Sequence, residues 1–167
     1  MKSGEFPRQY ARTRRFSLGV PRAFRVAPDG SRVTSLRSAA GDDAINRLWA
    51  HDLSDGEARI VADPVELLGD SDALHLPPEE RARRERAREA GGGIVSYSTD
   101  DAVTGAVFAL AGRLYSTDLA SSETARLPAV DGVFDPRPDP TGALVAYVAA
   151  GDLYVTSLES GDRLLAG

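Results

Sequence analysis

Short runs of alternating apolar and polar residues fill most of this chain, broken by residues that favour turns. The runs LVAYV and LYVTSL are rich in β-branched and aromatic side chains, which pack well on a pleated surface and mark strands. Asp29-Gly30, Thr141-Gly142, Gly151-Asp152 and Ser160-Gly161 offer the positive φ that tight hairpin turns require. Pro28, Pro136, Pro138 and Pro140 are expected outside the strands, where a missing N–H costs least. The pattern predicts an all-β chain of hairpins.

Those hairpins repeat. Three segments each give a turn, an apolar strand, a second turn, then a leucine followed by an aromatic residue. The anchors are Leu48-Trp49, Leu114-Tyr115 and Leu153-Tyr154, followed at constant offset by Leu53, Leu119 and Leu158. Leu114 and Leu153 lie 39 residues apart, whereas Leu48 and Leu114 lie 66 apart. A period near 40 residues with several short strands per unit is the signature of a β-propeller blade. The fold class expected is therefore all-β, a partial β-propeller of about three to four blades of a larger propeller. A β-sandwich is the weaker alternative, because chance similarity does not place matched anchors at constant offset.

The longer first interval points to an insertion at about residues 64–93. Within it, PPEERARRERAREAGGG breaks the strand pattern. Pro77 and Pro78 suit the first helical positions, and Gly91-Gly92-Gly93 ends the run. Glu79 faces Arg83 and Glu80 faces Arg84 at the favourable i,i+4 spacing. The segment is expected to be one charged helix, with only Ala82, Ala87 and Ala90 as apolar residues. Its two readings are a solvated helix over a loop and a helix leaning over a pocket, offering guanidinium groups to a ligand carbonyl or carboxylate.

Charge narrows the partners. The net charge is −5, which argues against nucleic acid, since phosphate binding uses clustered, uncompensated Lys and Arg. The candidate helix carries five arginines against four glutamates, so it is no nucleic-acid arm either. No apolar run approaches the ~18 residues of a membrane span, and the N-terminus has no signal-peptide core. A cytoplasmic chain is the expectation. With no cysteine and only His51 and His75, neither a disulfide nor a histidine-rich metal site is expected, and no cofactor.

The same residues offer no catalytic set. No G-x-S-x-G elbow occurs, and two histidines without a matched nucleophile make no triad. His51 falls in the strand LWAHDL and reads as structural; His75 lies in a loop. Asp42-Asp43 and Asp100-Asp101 fit turn chemistry better than a metal site. Glu79-Glu80 at the helix start offset its dipole.

Four stretches together resemble the N-terminal part of the dipeptidyl peptidase IV branch of the prolyl oligopeptidase family of serine peptidases. They are FPRQYARTRRFSLGVPRAFRVAPDG, LWAHDLSDGEARIVADP, PPEERARRERAREAGGGIVSYSTD and GRLYSTDL. The resemblance implies a propeller covering an α/β-hydrolase domain that removes dipeptides from peptide N-termini. It also implies an Arg-rich helix over the active site, with Arg83, Arg84 and Arg86 as substrate contacts. The family's triad lies in the hydrolase domain, which is absent from these residues, and the acidic pair that grips the substrate amine lies on a later propeller segment. Glu79-Glu80 do not match that pair. The middle repeat has STDDAVTG where a plain turn is usual.

The expectation is thus an incomplete N-terminal propeller over residues 1–167, part of something longer, gating and positioning short peptides for a hydrolase in cis. By itself it is not catalytic. Its open edge is expected to self-associate, because an unclosed array leaves strands free to pair. The alternative is a stand-alone propeller-like interaction module without a peptidase role.

Overall fold

The computed structural model describes residues 5–69, 92–157 and 163–166. Three antiparallel sheets follow one another along the chain. Blade 1 contains β1 (Arg22–Val26), β2 (Arg32–Ser38), β3 (Ile45–Asp52) and β4 (Ala58–Ala62), with β5 (Gly92–Gly93) pairing parallel to the start of β3. Blade 2 contains β6 (Ser98–Thr99), β7 (Gly105–Leu110), β8 (Arg113–Asp118) and β9 (Thr124–Arg126). Blade 3 contains β10 (Phe134–Pro138), β11 (Leu144–Ala149), β12 (Asp152–Ser157) and β13 (Arg163–Ala166). In each blade the four strands pair in chain order, as short turns between neighbours dictate. The chain is a partial β-propeller.

The leucine–aromatic anchors fall on the third strand of every blade. Successive side chains on a strand point to opposite faces, so the two anchor residues serve two different interfaces. We call the side of a blade turned toward its predecessor the front, and the other side the rear. The first core cluster joins Leu36, Leu48 and Ala50 on the rear of blade 1 to Phe108, Tyr115 and Leu119 on the front of blade 2. The second joins Val107 and Leu114 on the rear of blade 2 to Val145, Tyr147 and Ala149 on the front of blade 3. Leucine fills the rear and the aromatic fills the front.

Cross-strand stacking supports the front faces of blades 2 and 3. Phe108 stacks on Tyr115 at 5.7 Å and Tyr147 on Tyr154 at 5.5 Å between ring centroids, contacts worth ~0.5–1.5 kcal/mol beyond their burial. A polar tie accompanies each pair. Thr117 Oγ1 donates to Val61 O of blade 1 at 3.0 Å, and Thr156 Oγ1 donates to Pro128 O at 2.8 Å. Buried hydroxyls thereby keep their partners.

The turn between first and second strands also repeats. Gly30 N–H donates to Ala27 O, Val103 N–H to Asp100 O, and Gly142 N–H to Asp139 O. Gly30 and Gly142 have φ of 73° and 76°, and Val103 takes φ 56° in their place. A β-branched residue is rare in that region. The STDDAVTG segment is therefore the same turn without its glycine. Asp100 holds it: its carboxylate accepts from Thr104 N–H at 2.8 Å, from the Thr104 hydroxyl and from Gly105 N–H at 3.3 Å. The Val103 side chain is buried in the first cluster, which offsets the backbone cost.

Two expectations need correction. Pro136 and Pro138 lie inside β10 rather than outside the strands. They are tolerated because β10 is an edge strand with a register shift between Phe134 and Arg137, so no ladder bond is lost. The β11–β12 turn is Ala150-Gly151, at φ 52° and 95°, and Asp152 already belongs to β12. The N-terminal segment forms a helix, α1 (Glu5–Arg12), which alternation did not suggest. Phe6, Tyr10 and Phe16 cluster there with centroids 5.8–6.1 Å apart. Ser160-Gly161, Leu158, His75 and the charged segment expected as a helix lie outside the described residues.

Candidate functional site

The insertion is anchored at the start of β3. At its outgoing end Asp63 caps the short helix α2 (Pro64–Leu68): Oδ1 accepts from Val65 N–H at 2.9 Å, the usual N-cap device. Its other oxygen accepts from Arg47 Nε at 2.7 Å, and Arg47 also bonds Asp43 and Ile45 O. Burial opposes the Arg47 charge, but the bonds to Asp63 and then Asp43 outweigh it and raise its pKa above the ordinary value. Burial also opposes the Asp43 carboxylate. The Ile45 N–H and the Arg47 guanidinium reverse that effect and hold it below 3.8.

The returning end is pinned to the same strand. Gly92 N–H donates to Ala44 O and Ile94 N–H to Asn46 O, while Asn46 Nδ2 donates to Gly92 O at 3.2 Å. Gly93 has φ 71°, and a Cβ there would lie 2.5 Å from Asn46 O, 2.9 Å from Ile45 Cγ2 and 3.0 Å from Pro64 Cγ. Only glycine permits such an approach. Pro64 and Gly93, at the two ends of the insertion, thus meet over Ile45 and Asn46.

A second polar centre ties blade 1 to blade 2. Asp52 accepts from Arg32 Nε at 2.6 Å and from Arg59. The same arginines reach across: Arg32 Nη1 donates to Val103 O at 3.3 Å, and Arg59 Nη2 donates to Leu119 O and Ala120 O. The Arg32 bond, against the burial penalty and with help from Arg59, lowers the Asp52 pKa below 3.8.

The front of blade 1 carries a groove of about 290 Å³ lined by Phe24, Ser35, Arg37, Trp49, His51 and Leu53, among others. Arg37 lies 3.9 Å over the Trp49 ring, a cation–π contact, and Trp49 Nε1 donates to Arg37 O at 3.2 Å. His51 lies on β3 as expected, on the same face as Trp49.

Of the residues singled out in the sequence, Arg83, Arg84 and Arg86 lie outside the described residues, as do Glu79 and Glu80. Asp43 and Asp100 perform the expected turn chemistry: Asp43 Oδ1 accepts from Ile45 N–H at 2.8 Å, and Asp100 holds the Val103 turn. Among the described residues no three His, Asp or Glu side chains converge on one point. Sequence reasoning missed Asp52 and its arginines. A faint signal existed, for Asp52 and Asp118 each follow their anchor leucine by four positions.

No known family profile matches the chain. Solved structures do. One of two prolyl endopeptidases studied for inter-domain dynamics aligns with TM-score 0.62 at 12% identity, covering 96% of this chain and 24% of that one. The tricorn protease aligns with TM-score 0.52 at 14% identity, covering 87% and 13%. The β-propeller domain of Cps50 (Swd1) from Myceliophteria thermophila aligns with TM-score 0.51 at 12% identity, covering 89% and 39%. At such identities the likeness establishes the propeller fold. The chain spans about a quarter of the prolyl endopeptidase it matches.

Proposed function

We propose that the chain is the N-terminal propeller part of a dipeptidyl-peptidase/prolyl-oligopeptidase-like serine peptidase. It gates and positions short peptides for an α/β-hydrolase domain in cis, which supplies the nucleophile and base. The observation carrying this reading is the arginine-rich insertion, whose two ends are fixed on β3 by Asp63–Arg47 and by the Gly92-Gly93 pairing. A fixed base suits an element that must hold guanidinium groups at one place. Arg83, Arg84 and Arg86 would donate to a peptide carbonyl or carboxylate, where planar paired donors are most effective. The structural likeness to a prolyl endopeptidase and to the tricorn protease supports a peptidase setting.

The experiment is to assay the longest in-frame polypeptide containing this chain on an Xaa-Pro-anilide. Cleavage is expected, with Arg83→Ala, Arg84→Ala or Arg86→Ala raising KM more than it lowers kcat. Absence of cleavage by a folded long form would sink the reading. The 167-residue chain alone is expected to be inactive. One observation favours a second reading, a stand-alone interaction module: the apolar groove on the front of blade 1.

A further inference from the structure

A cleft of about 230 Å³ separates blades 1 and 2 at their outer rim. One wall is β4 with α2, and the other is the β8–β9 turn. β4 and β9 are the last strands of their sheets, while the inner side is marked by β10, which packs on β6 and β7 of the preceding blade. Both walls belong to blades already joined through the first core cluster, so described residues bound the cleft on either side.

The floor is apolar and its polar groups are spent. Val61 and Ala62 are buried, and Leu67 packs against the first core cluster. Val61 O accepts from Thr117 Oγ1 at 3.0 Å, and Thr124 Oγ1 donates in turn to Thr117 Oγ1 at 2.9 Å. Two side chains are left over, one on each wall. Neither the Glu66 carboxylate nor the Ser122 hydroxyl has a partner among the described residues. Ser122 is held at φ 64° by a firm turn: Asp118 accepts from Ala120 N–H and Ser121 N–H, and Ser122 N–H donates to Asp118 O.

Size and charge select the occupant. The volume is below the ~300–1,000 Å³ of small-molecule sites and suits a single long side chain. Glu66 calls for a cation, and the neighbouring cations are committed: Arg47 to Asp43 and Asp63, Arg59 to Asp52, and Arg126 to Asp131. A long basic side chain meets both demands, with its methylenes on the floor and its head donating to Glu66 and Ser122. β4 pairs with β3 alone, and Ile60 on it is 36% exposed, so an extended segment can lie along its free edge. Blades 2 and 3 meet differently: no helix follows β9, and Pro128 O takes the place of Val61 O as the acceptor for Thr156.

We propose that this cleft docks a protein segment through one arginine or lysine side chain, making the outer rim of blades 1 and 2 a surface for a basic partner. The net charge of −5 favours that encounter. The inference does not depend on the peptidase reading.

Fluorescence anisotropy on the 167-residue chain tests it with a short fluorescein-labelled probe, a valine peptide with one central arginine and blocked ends. Saturable binding is expected, at least ~tenfold weaker when citrulline, a neutral near-isostere, replaces the arginine. Glu66→Gln should weaken the arginine peptide by a similar factor and erase its advantage over citrulline. Glu66 is exposed, so circular dichroism should report an unchanged sheet. Glu123→Gln, between Ser122 and Thr124, should leave binding unchanged. Absence of saturable binding below ~1 mM would overturn the proposal. So would equal binding of the arginine and citrulline peptides, or an equal loss in both glutamate variants, which would mean diffuse attraction to an acidic surface. Free arginine competing as well as the peptide would overturn a protein partner in favour of a small basic ligand.

Discussion

Replacing Asp52 by Asn keeps the side-chain shape and removes the charge that orients two arginines. Asp52, Arg32 and Arg59 have side chains 18%, 17% and 32% exposed. This places the centre between two regimes. Breaking a fully buried pair costs ~3–5 kcal/mol, and an exposed pair contributes no more than ~1 kcal/mol. The loss expected here is about 2 kcal/mol, since the arginines keep some access to water and their carbonyl acceptors in blade 2. For a chain of this size that corresponds to a Tm lower by ~4–8 °C. Urea unfolding at pH 7, read by Trp49 fluorescence and by circular dichroism, measures it. The pH dependence supplies a second check. Asp52 is held below its ordinary 3.8, so its contribution is complete above that value and is lost as pH falls through the depressed one. The gap between wild type and variant should therefore be full at pH 7 and shrink below pH 3.8. Asp42→Asn serves as the control, because Asp42 pairs with Arg12 at side-chain exposures of 45% and 74%; it should change stability by less than ~0.5 kcal/mol. If Asp52→Asn costs no more than Asp42→Asn, or if its gap persists unchanged into acid, the clamp between blades 1 and 2 is not held by that carboxylate.

Gly93→Ala should destabilise the fold by at least ~2 kcal/mol in urea titration, since its φ is 71° and the new methyl would meet Asn46 O at 2.5 Å. Tyr97→Phe removes a buried hydroxyl that donates to Ala23 O at 2.7 Å and accepts from Thr34 Oγ1; thermal melts should show a loss of ~1–3 kcal/mol. Burial raises the Tyr97 pKa above 10, against the lowering bond from Thr34. Its share of wild-type stability is thus full below pH 10 and is lost as pH rises beyond it, a dependence the Phe variant should lack. Leu114→Ala empties a fully buried site in the second core cluster and should cost ~2–5 kcal/mol, with the urea m-value unchanged.

The repeat was legible in the sequence because its signal is local. A leucine and an aromatic at adjacent positions must face opposite sides of a strand, so each pair reports two packed faces at once. The strand alternation around Phe108 and Tyr147 is equally local, and both prove central to the core. Other features depend on register and were hidden. Arg32 precedes Asp52 by 20 positions and Arg59 follows it by 7; only the pairing of β2, β3 and β4 brings the three together. Position Val103 reads as a broken turn, since the carboxylate of Asp100 that sustains it competes with no recognisable motif. Pro136 and Pro138 read as strand breakers because a sequence does not say which strand will be an edge. The arginine-rich segment is the reverse case: its composition is legible and its flanks at Asp63 and Gly93 are fixed, while Arg83, Arg84 and Arg86 lie outside the described residues.

His51 shows how the repeat decides between chemistry and structure for a single residue. In blades 2 and 3 the position two after the anchor aromatic is Thr117 or Thr156; Thr117 donates to Val61 O of blade 1, and Thr156 to Pro128 O in the segment between β9 and β10. In blade 1 that position is His51, on the front face beside Trp49. A neutral imidazole also carries one N–H donor, and it reaches further than a threonine hydroxyl. The same place in the repeat therefore keeps the same kind of group across all three blades, whereas a base for nucleophilic catalysis would need a hydroxyl aligned with it. Ser35 shares the groove but pairs with Trp49, not with His51, which faces Val33. His51 thus holds the position of Thr117 and Thr156 in the repeat and carries the same kind of donor.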